Sequence, residues 1–400
     1  QKYISYVEVS LLDTVSMVVR NVLSGVPCLV VEGYVMAIAV DARTYPSRGI
    51  DEPEKDKVMR GSRDGFVETL VFNTALIRRR IRDPKLTMEY LSAGDVSHTD
   101  IVLCYMNDRV DQGFLAEIRR RIQKIKVESL TMNQQSLAEC LYHHSWFNPF
   151  PKFKFSERPD TAAASVLEGD IVVLVDNSPA AMILPTTIFD IIEEADDYYF
   201  PPITGTYLRL SRFLANILAL ALTPLFLLLM DYPHWIPAGF EFIMVKEPVN
   251  VPVVWQFLIL EFAIDGLRLA ALNTPSMLSL PLSVIAALII GDFAVGSGWF
   301  NAEPMLYMAF VALANYTQAS YELGYALKFM RLITLVLTAL FGIWGFGGGM
   351  LFALFCICTN RTIAGKSYLY PLIPFKWRQL AQRLFRVSLR KSEEARWKEK

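Results

Sequence analysis

The sequence predicts an α/β cytoplasmic region with duplicated β-α-β-β units, followed by an α-helical transmembrane bundle. Three observations carry this. First, 53% of the 400 residues are hydrophobic while 20% are charged, which is more apolar content than one water-soluble core needs at a soluble-like charge density. The two figures are compatible because charges are dense over residues 1–212, sparse over 213–359 and dense again afterwards. Second, residues 22–33 align without a gap on residues 166–177, at an offset of 144. Third, residues 213–230 carry no charge, a length just sufficient to cross a bilayer core.

In each copy of the repeat a helix-like stretch (14–23; 159–167) meets a glycine suited to a helix C′ position, Gly25 or Gly169. A β-rich run follows, then a turn signal, Glu32-Gly33 or Asp176-Asn177, then a second run (34–40; 180–184). Residues 6–9 and 100–106 supply the preceding strands, so the second unit carries a helical insertion that includes 112–125. Two copies make a duplication and not a solenoid. The expected domains are 1–92, 93–208, a transmembrane domain at 209–363, and a basic tail at 364–400. The chain opens at Gln1 without an initiating Met, which leaves room for a preceding leader or extension.

Phe66, Leu70, Ile77 and Ile81 mark one face of a helix that ends in Arg78-Arg79-Arg80. Such a cluster suits lipid, nucleic acid or a solvated helix end favoured by the dipole. No nucleic-acid-binding module accompanies it, so nucleic acid is not expected as a partner.

Four spans are expected, at 213–230, 277–298, 304–327 and 332–359. Arg209 and Arg212 precede the first, which places the soluble part in the cytoplasm. Residues 253–271 read differently, because Glu261, Asp265 and Arg268 fall on one face of an otherwise apolar helix, a pattern suited to an interfacial or shallow re-entrant segment. Four spans return the tail to the cytoplasm. Five would bring Lys328 and Arg331 inside but send the tail out. Residues 376–400 hold nine Lys/Arg against three Glu, a composition that suits an anionic lipid surface.

No nucleotide, metalloprotease or serine-hydrolase motif is present, and no catalytic residue, metal site or cofactor is expected. His143 and His144, adjacent in sequence, point to different faces of a helix. The five cysteines show neither metal nor disulfide spacing. The helical part is more informative. Ser276, Ser279, Ser283, Ala286, Ile290, Ala294 and Ser297 share one sector of a helix. That stripe suits either a pore-facing surface or close helix packing. On the next span Tyr307, Val311, Asn315, Gln318 and Glu322 recur at helical spacing, and amides and a carboxylate at membrane depth must meet protein or water. Glu322 can bind a cation, or pair with Lys328 or Arg331. Asp292 lies off the serine stripe and either borders conduction or marks the membrane boundary with Trp299.

Several stretches make the chain similar to a known family. They are Arg60-Gly-Ser-Arg-Asp-Gly-Phe-Val-Glu-Thr-Leu, Asn73-Thr-Ala-Leu-Ile-Arg-Arg-Arg-Ile, Glu157-Arg-Pro-Asp, Leu167-Glu-Gly-Asp-Ile-Val-Val-Leu-Val-Asp and Asp196-Asp-Tyr-Tyr. The chain resembles, over about residues 46–375, the GerA family of spore-germination receptor A subunits. Trp299-Phe-Asn-Ala-Glu-Pro and Ser367-Tyr-Leu-Tyr-Pro-Leu-Ile-Pro-Phe look like its AF branch. Where the family tends to have Leu-Arg-Glu-Ala, this chain has Leu267-Arg-Leu-Ala. The resemblance implies a multi-pass protein of the inner spore membrane that forms a homo-oligomeric ring, a pentamer among the options. It further implies work with other membrane subunits and conduction of ions, monovalent cations among them, early in germination. The first expectation is therefore an ion channel, and the second a non-conducting scaffold whose polar faces serve packing. A membrane enzyme lacks any nucleophile and base arrangement here.

Overall fold

A computed structural model describes residues 9–42, 48–53, 55–142, 146–274 and 293–387. The first sheet contains β1 (Val9–Leu12), β2 (Cys28–Leu29) and β3 (Ala37–Val40), in the antiparallel order β1-β3-β2. Between β1 and β2 runs α1 (Val15–Leu23), started by Thr14, whose side chain accepts from the Met17 N–H. The second sheet contains β4 (Leu86–Ala93), β5 (Thr99–Met106), β6 (Lys154–Ser156), β7 (Ile171–Val175) and β8 (Ala181–Leu184). Its antiparallel order is β4-β5-β7-β8-β6. Helices α2 (Leu70–Arg80) and α5 (Pro159–Glu168) cover one face, and α3 (Gln112–Gln123) and α4 (Asn133–Leu141) the other. Side chains alternate across a strand, so Ile101, Leu103 and Tyr105 join one core and Val102, Cys104 and Met106 the other. The unbroken apolar run of β5 reflects this burial on both faces.

Adding 144 carries β1 onto 153–156, α1 onto 159–167 and β3 onto 181–184, within one residue of the ends of β6, α5 and β8. Register follows as well, because the pairs Val9↔Val40 and Cys28↔Ala39 map onto the alignments of β6 with β8 and β7 with β8. Gly25 and Gly169 both have positive φ (82° and 107°), as do Gly33 and Asn177 (85° and 59°). At this offset the counterpart of β1 is β6 and not the expected 100–106, which pairs on the other side of β7. β6 is three residues long, with Pro149 and Pro151 just ahead of it, too short for its alternation of Lys and Phe to stand out. The expected boundary at 92/93 falls inside β4, which pairs with β5 from Leu86 to Ala93, so one sheet spans it.

Beyond two short helices, α6 (Ile188–Ile192) and α7 (Asp196–Tyr199), the chain turns helical. Its elements are α8 (Pro202–Asp231), α9 (Val253–Asn273), the short α10 (Ala294–Gly296), α11 (Ala302–Tyr316), α12 (Tyr321–Phe341) and α13 (Ile343–Thr359), with α14 (Trp377–Leu384) in the tail. Among the described residues α8 and α12 are long and apolar enough to cross a membrane, and α13 is a shorter apolar helix. Two expected spans are corrected. The helix expected at 304–327 stops at Tyr316, and Ser320 caps a new one by accepting from the Leu323 N–H. The run at 332–359 breaks at Gly342, whose φ of 56° and ψ of −130° suit only glycine.

α12 and α13 then fold back on each other. A Cβ on Gly345 would run into the Leu337 carbonyl, and one on Gly349 into Thr334. Gly345→Val should therefore part the hairpin and lower the thermal midpoint in detergent, overpacking alone costing about 1–3 kcal/mol. Gly347, with open space around it, should tolerate Ala with little change. Equal midpoints for the two variants would contradict this packing.

The amphipathic segment is the largest correction. α9 buries Gln256, Phe257, Leu260 and Glu261 and exposes Trp255, Ile259, Phe262, Leu269 and Leu272. Its polar face is turned inward and its apolar face outward, the reverse of a helix at a water surface.

Candidate functional site

Two polar constellations stand out, one inside the helical part and one where the α/β region meets it. Inside, the Arg331 Nε donates to Glu261 Oε1 at 2.8 Å, and its other nitrogens reach the same carboxylate and the Ala219 carbonyl. Lys328 bonds Asp265 and lies 3.2 Å from Glu261 Oε2. The quartet joins α8, α9 and α12, and its two positive and two negative charges balance. Arg331 is fully buried and Glu261 nearly so. One turn on, the Arg268 guanidinium lies between the rings of Tyr316 and Tyr325, 5.1 and 5.5 Å from their centroids. Helical spacing placed Glu261, Asp265 and Arg268 on one face. Their partners, 48 to 70 residues away, left no local signal.

At the junction, Asp197 is wholly buried and accepts from Arg212 at 2.6 and 2.8 Å and from Arg209 Nε at 3.3 Å. Arg209 also reaches Glu193 (2.6 Å). Burial works to raise the Glu193 carboxyl, but Arg383 and Arg209 outweigh it and hold it below the usual range. Asp196 accepts from the Met59 N–H, and Tyr199 bonds Asp160. Arg158, 2% exposed, pairs with Asp160 and donates to the Asp56 and Ser62 carbonyls. Asp64 receives Arg79 (2.7 Å) and Arg80 (2.5 Å), so that basic cluster is a helix end paired within the protein. The sequence stretches around residues 60, 157 and 196 thus meet at one place.

The tail belongs to the same junction. Arg383 pairs with Asp190 (2.7 Å) and Glu193 (2.8 Å), and Arg386 donates to the Phe200 and Tyr198 carbonyls. Where the sequence leads one to expect lipid, Arg383 therefore meets two carboxylates and Arg386 two backbone carbonyls. Arg209 and Arg212, read as a positive flank, are likewise neutralised by carboxylates.

A chamber of about 840 Å³ opens beside these groups, between α5, α6, α7, the start of α8 and the turn from α11 to α12. Gln318 and Glu322 line it. Asn315 lines instead a small crevice beside Glu261, Asp265 and Lys328, because the helix break at 317–320 divides the expected polar stripe. Glu322 pairs with neither Lys328 nor Arg331, both of which are engaged by α9. Ser297 donates to the Ala294 carbonyl (3.1 Å) beyond α10. Ser276, Ser279, Ser283, Ala286, Ile290 and Asp292 lie outside the described residues, as do His143 and His144.

Lys152 adds a titration. Its ammonium, 5% exposed as a residue, donates to the Arg361 carbonyl (2.8 Å) and lies 4.8 Å from the Tyr142 ring centroid. Burial pulls its pKa from 10.5 down to about 8. The cost of burying the charge is full below pH 8 and fades as pH rises to 10.5, where the unfolded chain also loses its proton. The stability of Lys152→Met relative to the parent should accordingly fall between pH 7.5 and pH 10 in detergent unfolding curves. A difference independent of pH would refute the titration.

Residues 1–397 match the family model for the Bacillus/Clostridium GerA spore germination protein. The chain belongs to the GerA family. Relatives in Bacillus subtilis (strain 168) include Stage V sporulation protein AF, 38% identical over 95% of this chain and 77% of its own length. Spore germination protein KA is 29% identical over 89% of this chain and 65% of its own length. Among solved structures, the N-terminal domain of the A subunit of the Bacillus megaterium spore germinant receptor GerK3 is 32% identical, covering 30% of this chain and 94% of that one at a TM-score of 0.25. This GerA-family chain thus has relatives named for sporulation and spore germination, and its AF-like stretches agree with the first of them.

Proposed function

We propose that this chain is a membrane subunit of the spore germination apparatus that assembles with copies of itself into an ion channel of the inner spore membrane. Other membrane subunits would be its partners and monovalent cations its permeant species. The observation that carries the reading is the inverted polarity of the helical part, with charges and amides inside and Trp, Phe and Leu outside, ending at a polar chamber. Apolar exposure suits lipid, and interior polar groups need water, ions or partners. Topology follows from the same reading: α/β region and tail on the cytoplasmic side, with the basic tail toward anionic lipid.

The test is ion flux through reconstituted protein. The parent should conduct, Ser283→Leu and Ala286→Leu should reduce flux while assembly persists, and Glu322→Gln should alter cation preference. A parent silent under every stimulus tried would count against conduction. One observation favours the scaffold reading: Glu261, Asp265, Lys328 and Arg331 satisfy one another within a single chain, so no ion is needed to balance them. We also infer that residues 9–40 and 153–184 are two copies of one β-α-β-β unit, from their common register. An experimental structure in which the two do not superpose would reject this.

A further inference from the structure

Tryptophan is distributed in this molecule as it is at a lipid boundary. Among the described residues Trp146, Trp235, Trp255, Trp299, Trp344 and Trp377 are all exposed, from 45% to 91%, whereas a water-soluble fold keeps most of that ring inside. Four of them lie at the end of the helical part away from the junction. Trp235 follows the end of α8, and Trp344 opens α13 just beyond Gly342, where a Cβ would meet the Tyr232 hydroxyl at 3.2 Å. Trp255 is in the first turn of α9 and Trp299 lies two residues before Asn301, and the Gln256 Nε2 donates to Asn301 Oδ1 at 2.8 Å. Aromatic rings collect at both faces of a bilayer, so a second level belongs at the junction end.

There the tryptophans are Trp377, which opens α14, and Trp146, whose neighbour is Phe147. Trp146 and Phe147 belong to the α/β region, in the loop between α4 and β6. Their rings are 91% and 73% exposed and meet edge to face at 5.3 Å. Directly after them the loop is pinned to the end of α13. The Asn148 Nδ2 donates to the Cys356 carbonyl (3.0 Å), Phe150 shares a core with Ala353 and Cys356, and Lys152 donates to the Arg361 carbonyl (2.8 Å). Two residues of chain reach at most about 7 Å, so the backbone of the pair is held beside the last turns of α13. Those turns carry Leu351, Leu354 and Phe355 on their exposed side. Arg361, just past the helix, is exposed as well, a charge that suits headgroup phosphates.

We propose that Trp146 and Phe147 insert into the headgroup layer on the junction side of the bilayer, so that the α/β region rests on the membrane surface through this loop. The occupant is lipid and not a second chain, because the rings adjoin the apolar outer surface of α13 and have the amphipathic, aromatic character of that boundary. This rests on the membrane reading above and does not depend on conduction.

The experiment is tryptophan fluorescence of the full chain in nanodiscs of phosphatidylcholine and phosphatidylglycerol, with and without bromine on the acyl carbons nearest the headgroup. Subtracting the spectrum of Trp146→Phe from the parent's isolates Trp146, and subtracting that of Trp344→Phe isolates a ring of the far level. The Trp146 difference should be blue-shifted from tryptophan in water and should lose most of its intensity in brominated nanodiscs, as should the Trp344 difference. Phe147→Trp supplies a gain of signal, and the added intensity should be quenched in the same proportion. A Trp146 difference that emits as tryptophan in water does would overturn the proposal. So would a blue-shifted one that bromine leaves unquenched, which would mean that a second copy or another segment of protein covers the loop, or an unquenched gain in Phe147→Trp. In each of these cases a quenched Trp344 leaves the membrane reading standing, whereas quenching of neither ring rejects that reading together with the proposal.

Discussion

Glu261→Gln should destabilise the helical part by about 3–5 kcal/mol, the loss expected when one member of a buried ion pair is removed. Both oxygens of Glu261 are in use, one by Arg331 and one by Lys328. Without its charge the quartet becomes two buried cations against a partly exposed Asp265. Arg331 cannot move out to find solvent, because it is wholly enclosed between α8, α9 and α12. Arg331→Met should cost a similar amount by stranding the opposite charge. The double variant leaves Lys328 with Asp265 and restores neutrality, so its loss should fall short of the sum of the singles by 1 kcal/mol or more, within about the range of coupled pairs. Reversible unfolding in mixed micelles measures all three. Strict additivity would mean that Glu261 and Arg331 do not form the pair described.

Asp197→Asn should have an effect of similar size, about 3–5 kcal/mol, and a different location. Asp197 is the shared acceptor of Arg209 and Arg212 at the elbow where α7 passes into α8. A neutral amide leaves two guanidinium groups nearly buried, with Glu193 and Glu194 as remaining partners. The tail should loosen with it, since the Gln382 and Arg383 carbonyls accept from Arg209. Hydrogen exchange should rise over residues 197–212 and 377–386 together, with α2 and β5 unchanged. Asp108→Asn, at an exposed pair with Lys85, should exchange and unfold as the parent does. Unchanged exchange at both segments would show that Asp197 is not the pin of this elbow.

Much of the α/β region was legible beforehand. Its helices and strands declare themselves through periodicity, and Gly25, Gly169, Gly33 and Asn177 mark turns because their backbone lies in the left-handed region. β6 escaped notice because three residues hold too little alternation to read. The helix break at 317–320 was missed for a different reason. Thr317, Gln318, Ala319 and Ser320 contain neither Gly nor Pro, so nothing local forbids a continuous helix, and the stop is visible only through the cap at Ser320.

The inward turn of α9 is not legible in the sequence. Three charges on one face suit a water surface equally well until their partners are known, and Lys328 and Arg331 lie some sixty residues on. The same holds at the junction, where Asp196 and Asp197 were noticed as part of a recurring stretch and not as acceptors for Met59, Arg209 and Arg212.

By itself the sequence determined the division into a charged α/β part and an apolar helical part, the gapless alignment of residues 22–33 on 166–177, and membership of the GerA family. Each of these rests on composition or on spacing along one chain, which needs no knowledge of what touches what. Only the tertiary structure decided that the polar face of α9 is internal, that Arg383 and Arg386 serve the junction, and that Gln318 and Glu322 line a chamber. The reason is physical: the free energy of a charge depends on its distance from a counter-charge and on its exclusion from water, and both are set by segments far apart in sequence.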